Sequence, residues 1–135
     1  MYTIKDNLSN FSSIVMNTLK NNKHELIVPY NELVCGIIHL LYVEGYLAGY
    51  KIMNIKNSLY IYTILRKQKG LFLIHNIKRI SKPSQKKYCT LMQLKKIYSS
   101  CNGDTNYIIS TSKGILSGKT CIERGLSGEL LIKIN

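Results

Sequence analysis

Seven consecutive residues with no large apolar side chain, Ser81-Lys82-Pro83-Ser84-Gln85-Lys86-Lys87, interrupt this 135-residue chain past its midpoint. The stretch is polar and basic, and Pro83 removes a backbone donor, so no strand ladder or helix runs through it. It is the clearest internal boundary in the sequence. The chain is therefore expected to fold as two small parts, residues 1–80 and 81–135, each from its own elements.

In the first part, Leu8, Phe11, Ile14, Val15 and Leu19 recur at three- and four-residue steps. That spacing predicts an amphipathic helix from Asp6 to Lys20, with Asp6 or Ser9 as its cap and the domain beginning near Ile4. Glu25 to Val28 reads as a short strand stopped by Pro29. Asn31 can cap a second helix, apolar at Leu33, Val34, Ile37, Ile38, Leu41 and Tyr42, with Gly45 just past its end. A meander follows: a strand over Tyr50 to Met53, another over Leu59 to Leu65, a basic turn Arg66-Lys67-Gln68-Lys69-Gly70, and a returning strand from Leu71 to Ile80. The order helix, strand, helix, strand, strand, strand predicts an α+β layer with both helices on one face of a sheet.

In the second part a short helix is expected over Thr90 to Tyr98, then a loop around Asn102-Gly103-Asp104. A strand Tyr107-Ile108-Ile109 next runs into Ser110-Thr111-Ser112-Lys113-Gly114. A short helix from Ser117 to Arg124, ended by Gly125, and a last strand from Gly128 to Ile134 complete an α+β part. Three hydroxyls and one ammonium in four residues are a compact donor set suited to phosphate and sugar oxygens. Gly114 allows positive φ there. An ordinary hairpin turn is the competing reading.

Charge separates these readings. The formal net charge is +12, and it is uneven: Met1 to Leu65 carry 5 basic against 4 acidic residues, Arg66 to Asn135 carry 14 against 3. The basic part is the one with the hydroxyl turn, which implies a polyanionic partner. Arg66, Lys67, Lys69, Lys78, Arg79, Lys82, Lys86 and Lys87 cluster in and near turns, where they can neutralise an RNA backbone or form a solvated face. Tyr88 can pack on a sugar or base, or be a core-edge residue. Glu129 can accept hydrogen bonds from a base amino group or a neighbouring turn, or serve structure alone.

Other chemistries lack apparatus. No apolar run reaches the roughly 20 residues that span a bilayer. Gly114-Ile115-Leu116-Ser117-Gly118-Lys119-Thr120 imitates a phosphate-binding loop, but a residue is missing between its glycines, and only 15 residues follow Thr120. Cys35, Cys89, Cys101 and Cys121 form no ligand spacing and read as free thiols. His24, His39 and His75 are scattered, and His39 is expected to be a satisfied, partly buried helix residue. No catalytic residues, metal site, cofactor or small-molecule substrate is expected, and the chain is not expected to be an enzyme.

Several motifs resemble one family. Ser110-Thr111-Ser112-Lys113-Gly114, followed by Gly125-Leu126-Ser127-Gly128-Glu129, is similar to the C-terminal signature of the eighth small-subunit ribosomal protein family, bacterial type. Arg79-Ile80-Ser81-Lys82-Pro83 with Tyr88 resembles that family's Arg-Val-Ser-Arg-Pro segment and following Tyr. Asp6, Val28-Pro29 and Glu44-Gly45-Tyr46 match in order and approximate spacing. The resemblance implies a first part laid out like a double-stranded-RNA-binding domain and a small C-terminal α+β domain that binds rRNA. It implies a structural constituent of the small subunit, a primary binder of central-domain rRNA, with rRNA and neighbouring ribosomal proteins as partners and no membrane. Its contact residues fall on Ser110, Thr111, Ser112, Lys113, Gly114, Gly125, Gly128, Glu129 and Arg79 to Pro83. The basic loop and Tyr88 extend the set to Lys82, Lys86, Lys87 and Tyr88. A free-standing RNA-binding assembly factor of the same fold is the rival.

Three departures stand out. Gly118-Lys119 occupy the place of an Asp-Arg pair, Ser127 that of a Gly, and Ile14-Val15-Met16 that of arginines before Asn17. The lost arginines and a residue usage leaning to Ile, Lys, Asn and Tyr suggest an organellar version, mitochondrial, with a plastid as the alternative. The absence of a transit helix ahead of the domain then suggests a gene carried by the organelle.

Overall fold

The computed structural model describes residues 7–82, 84–100, 103 and 105–135. The expected cap Asp6, the start near Ile4, Pro83, Cys101, Asn102 and Asp104 lie outside the described residues. The chain is α+β and divides into two compact units, Met1–His75 and Asn76–Asn135.

In the first unit, α1 (Asn7–Lys20) buries Leu8, Phe11 and Val15 as its stripe predicts, but also Ser12 and Thr18. Those hydroxyls turn back on their own helix, donating to the carbonyls of Leu8 at 3.0 Å and Ile14 at 2.7 Å. The buried polar atoms are thereby satisfied locally. β1 (Glu25–Pro29) alternates, with Leu26 and Val28 inward. α2 (Glu32–Val43) starts at Asn31, whose side chain accepts from the Leu33 N–H at 3.0 Å. It buries Val34, Ile37, Ile38 and Leu41. Gly45 follows at φ 92°.

β2 (Leu47–Ile55) and β3 (Ser58–Leu65) are joined by Lys56-Asn57, both at positive φ. Two left-handed residues in a two-residue loop match the twist of an antiparallel ribbon. The sheet order is β1-β3-β2, all antiparallel, with β3 central. α1 packs on β1, α2 packs on β2, and the two helices touch each other. One sheet face is therefore covered, by way of Leu26, Val28, Ile61, Thr63 and Leu65.

The returning strand does not run from Leu71 to Ile80. A ribbon of β4 (Lys67–Gln68) and β5 (Leu71–Phe72) closes on Lys69 and Gly70, both at positive φ. Beyond it one further bond, from the Leu73 N–H to the Arg66 carbonyl at 3.2 Å, ends the ribbon. The later residues Ile77–Arg79 form β6, which joins β10 (Gly128–Ile134) in the second unit. This places the border between His75 and Asn76, ahead of Ile80. The correction has a simple cause: Ile77 faces Ile134 across that ladder and is buried, a non-local partner that local pattern does not name.

The second unit adds β7 (Tyr88–Cys89), α3 (Leu91–Ser100), β8 (Asn106–Thr111), β9 (Gly114–Ser117) and α4 (Gly118–Arg124). Thr90 and Gln93 cap α3 reciprocally: the Gln93 N–H donates to the Thr90 hydroxyl, and the Thr90 N–H to the Gln93 side chain. The sheet order is β6-β10-β8-β9, with β7 also paired to β10. Leu94, Tyr107, Ile109, Cys121, Leu130 and Cys89 form the core under α3 and α4.

Candidate nucleic-acid interface

The central strand β10 gathers the site. Glu129 pairs with Ser110 of β8 on one side and with Tyr88 of β7 on the other. Residues in register share a sheet face, so Tyr88, Glu129 and Ser110 form one row across three strands. Its neighbour Leu130 points the other way, into the core with Ile109. Tyr88 is 69% exposed, which removes the core-edge reading. The Glu129 carboxylate makes no ion pair or hydrogen bond among the described residues.

The hydroxyl turn lies past the Gly128 end of this row. β8 and β9 pair down to Thr111 and Gly114, leaving Ser112 and Lys113 as a two-residue loop. Neither loop residue takes positive φ; Gly114 does, at 108°. Thr111 holds the turn rather than facing outward: its hydroxyl donates to the Gly114 carbonyl at 2.9 Å and accepts from the Lys113 N–H at 3.1 Å. Ser112 and Lys113 are exposed. Gly128 has a packing reason of its own. A Cβ built there would collide with the Ser110 carbonyl oxygen, a backbone atom that cannot swing away.

The basic loop lies on the Leu130 side of the row. Lys82 and Gln85 exchange both backbone hydrogen bonds, making a small hairpin. Buried Ser81 anchors it: its hydroxyl donates to the Leu130 carbonyl and accepts from the Lys87 N–H at 3.0 Å. The Arg79 Nε donates to the Ser81 carbonyl at 2.8 Å. Lys82, Lys86 and Lys87 are exposed. Sequence reasoning missed Ser81 as an anchor, although it stood inside a quoted motif. Its two partners, at distances of six and forty-nine residues along the chain, carry no local signal.

Gly125 terminates α4 in the left-handed region (φ 68°, ψ 35°) and donates to the carbonyls of Cys121 and Ile122. Its part is to aim the chain into β10. The Gly114–Thr120 decoy is strand β9 and the first turn of α4; Ser117 caps that helix, accepting from the Thr120 N–H at 3.3 Å. Gly118 sits where a Cβ would strike the tip of the Tyr98 ring. The Tyr98 hydroxyl is itself held by Asn106 Oδ1 at 2.8 Å and the Tyr107 N–H at 2.9 Å.

Arg66, Lys67 and Lys69 are not on this sheet; they belong to the β4–β5 region of the first unit. The Lys67 ammonium lies 4.5 Å from the Phe72 ring centre. His39 is exposed rather than partly buried, with Nδ1 2.8 Å from the Tyr50 hydroxyl. Among the described residues no three His, Cys, Asp or Glu come together as metal ligands. Burial pushes the thiols of Cys89 and Cys121 above their ordinary value; for Cys121, Arg124 offsets part of the effect. No helix among the described residues is long and apolar enough to cross a membrane.

The family model described as ribosomal protein S8 matches residues 6–135. The chain is 32% identical over 133 residues to the small ribosomal subunit protein uS8 of Buchnera aphidicola subsp. Cinara cedri, covering 98% of this chain and 99% of that one. It is 32% identical over 130 residues to uS8 of Ehrlichia canis, covering 96% of each. Against uS8 of Methylacidiphilum infernorum it is 33% identical over 131 residues, covering 97% of this chain and 98% of that one.

Proposed function

The chain belongs to the ribosomal protein S8 family, and we propose that it grips rRNA through one strip of its second unit: hydroxyl turn, Tyr88–Glu129–Ser110 row, basic loop. Membership makes it a structural, non-enzymatic component of the small ribosomal subunit that binds rRNA beside neighbouring ribosomal proteins.

The observation that carries the site is the β10 register, which supports joining two segments far apart in sequence into one surface. Ser112 and Ser110 offer hydroxyls that both donate to and accept from a ribose 2′-OH. Lys113, Lys82, Lys86, Lys87 and Arg79 neutralise phosphates. Tyr88 lies against a sugar or base, and Glu129 accepts from a base amino group that no phosphate can mimic. Gly114, Gly125, Gly128 and Thr111 shape the surface rather than touch RNA. The target is an irregular helix of the central domain, read through its wide minor groove. Two helices on one face of a three-stranded antiparallel sheet support kinship of the first unit with double-stranded-RNA-binding domains. The residue usage supports an organellar ribosome, mitochondrial before plastid; recovery of the chain in stoichiometric amount from purified mitochondrial small subunits would test that.

The site is tested with a short RNA copying that central-domain helix, comparing the unaltered chain with a Ser110→Ala/Ser112→Ala/Lys113→Ala variant over a salt series. Three lost contacts are expected to weaken binding about 100-fold, and losing Lys113 to flatten the salt slope by about 1. Equal binding to an unrelated duplex, with no effect of the triple change, would overturn the assignment.

A further inference from the structure

The uncovered face of the first unit's sheet is unlike the rest of the molecule. The central strand β3 turns Tyr60 and Tyr62 outward, opposite the helix-covered Ile61 and Thr63. In register beside them stand Ile27 on β1 and Lys51 and Met53 on β2. Ile27 is 47% exposed, and both tyrosines are partly exposed. The Lys51 ammonium lies 5.5 Å from the Tyr62 ring centre, and Glu25 stands on the opposite edge strand, on the same face as Ile27. One cation on one edge and one anion on the other leave this face neutral, on a chain of net charge +12.

We propose that this face docks a neighbouring protein of the small subunit, one that presents apolar side chains between a carboxylate set against Lys51 and a basic group set against Glu25. The charge pattern chooses the occupant. RNA binding draws on phosphate neutralisation, and a face whose one cation is balanced by a carboxylate supplies no net positive charge for it. Protein interfaces favour aromatic and aliphatic centres with charges at the rim. Tyrosines add area at low entropic cost because they have few rotatable bonds. The proposal rests on the assignment of the chain to the small subunit, and it adds a surface in the first unit to the RNA-binding strip of the second.

The test uses purified small subunits carrying the full chain. Carbodiimide converts an amine and a carboxylate in contact into an amide, so Lys51 is expected to be joined to an Asp or Glu of one neighbouring protein. That product is expected to fall at least severalfold in a Tyr60→Ser/Tyr62→Ser chain. In parallel, Tyr62 is replaced by the photoreactive benzoylphenylalanine, and irradiation is expected to tag the same protein. Tagging of rRNA, tagging of a second copy of this chain, or no inter-protein product from either probe overturns the proposal. Absence of the unaltered chain from small subunits is read separately, by its stoichiometry, and would instead overturn the assignment on which the proposal stands.

Discussion

Gly128 and Ser110 are coupled through a single close approach. Because the atom opposing a Cβ at position 128 is a backbone carbonyl, the strand itself has to move to admit one. Gly128→Ala is expected to cost about 1–3 kcal/mol in urea unfolding, and to weaken RNA binding because Ser110 shifts with its strand. Thr63 poses the opposite case. Its hydroxyl is buried in the first unit with no hydrogen-bond partner among the described residues, so it loses water on folding and gains nothing from them in return. Thr63→Val keeps the shape and removes the unpaired group, and is expected to raise stability by about 1 kcal/mol; a lower urea midpoint would contradict this. These two residues also mark how far a sequence can be read. Gly128 was recognised as part of a motif, but its reason lies on another strand, and nothing near Thr63 along the chain says that its hydroxyl is stranded.

The basic loop behaves as an element because one buried hydroxyl ties both its ends. Ser81 bridges the Leu130 carbonyl and the Lys87 N–H, so the lysines project from a fixed hairpin instead of a slack connection. Ser81→Ala removes the partner these two groups share. It is expected to cost about 1–3 kcal/mol and to speed hydrogen exchange at the Lys87 amide, with RNA affinity falling although no contacting side chain has changed. Unchanged exchange at Lys87 would rule this anchor out. Elements defined by short-range pattern were readable in advance: the stripe of α1, the Asn31 cap of α2, the aromatic and β-branched run of β3, the helix ended by Gly125. The strand expected from Leu71 to Ile80 was not, since its apolar residues are divided between a two-stranded ribbon and a sheet edge formed with β10, the last strand of the chain.

Across the whole molecule, two titrations and one salt dependence follow. Burial holds the Cys89 and Cys121 thiols protonated above the ordinary value of 9.0. As pH rises past 9.0 the unfolded chain releases protons that the folded chain retains, so stability is expected to fall there and to be unaffected by these groups below it. The slope of unfolding free energy against pH above 9.0 is expected to flatten in a Cys121→Ala chain relative to the unaltered one; an identical slope would refute the argument. Changing Lys82, Lys86 and Lys87 together to Gln is expected to reduce the salt slope of RNA binding by up to about 3. Periodicity was enough for the α+β reading and charge for a polyanionic partner, while the family was legible through the resemblance of the Ser110–Gly114, Gly125–Glu129 and Arg79–Pro83 motifs, because net charge, periodicity and short motifs are local properties carried whole by the sequence. The convergence of Tyr88, Glu129 and Ser110 in one row, the inward duty of Thr111, the anchor at Ser81 and the neutral tyrosine face of β3 came only with the fold. Each depends on which strands pair and in what register, and that is settled by burial and hydrogen bonding between segments that lie far apart along the chain.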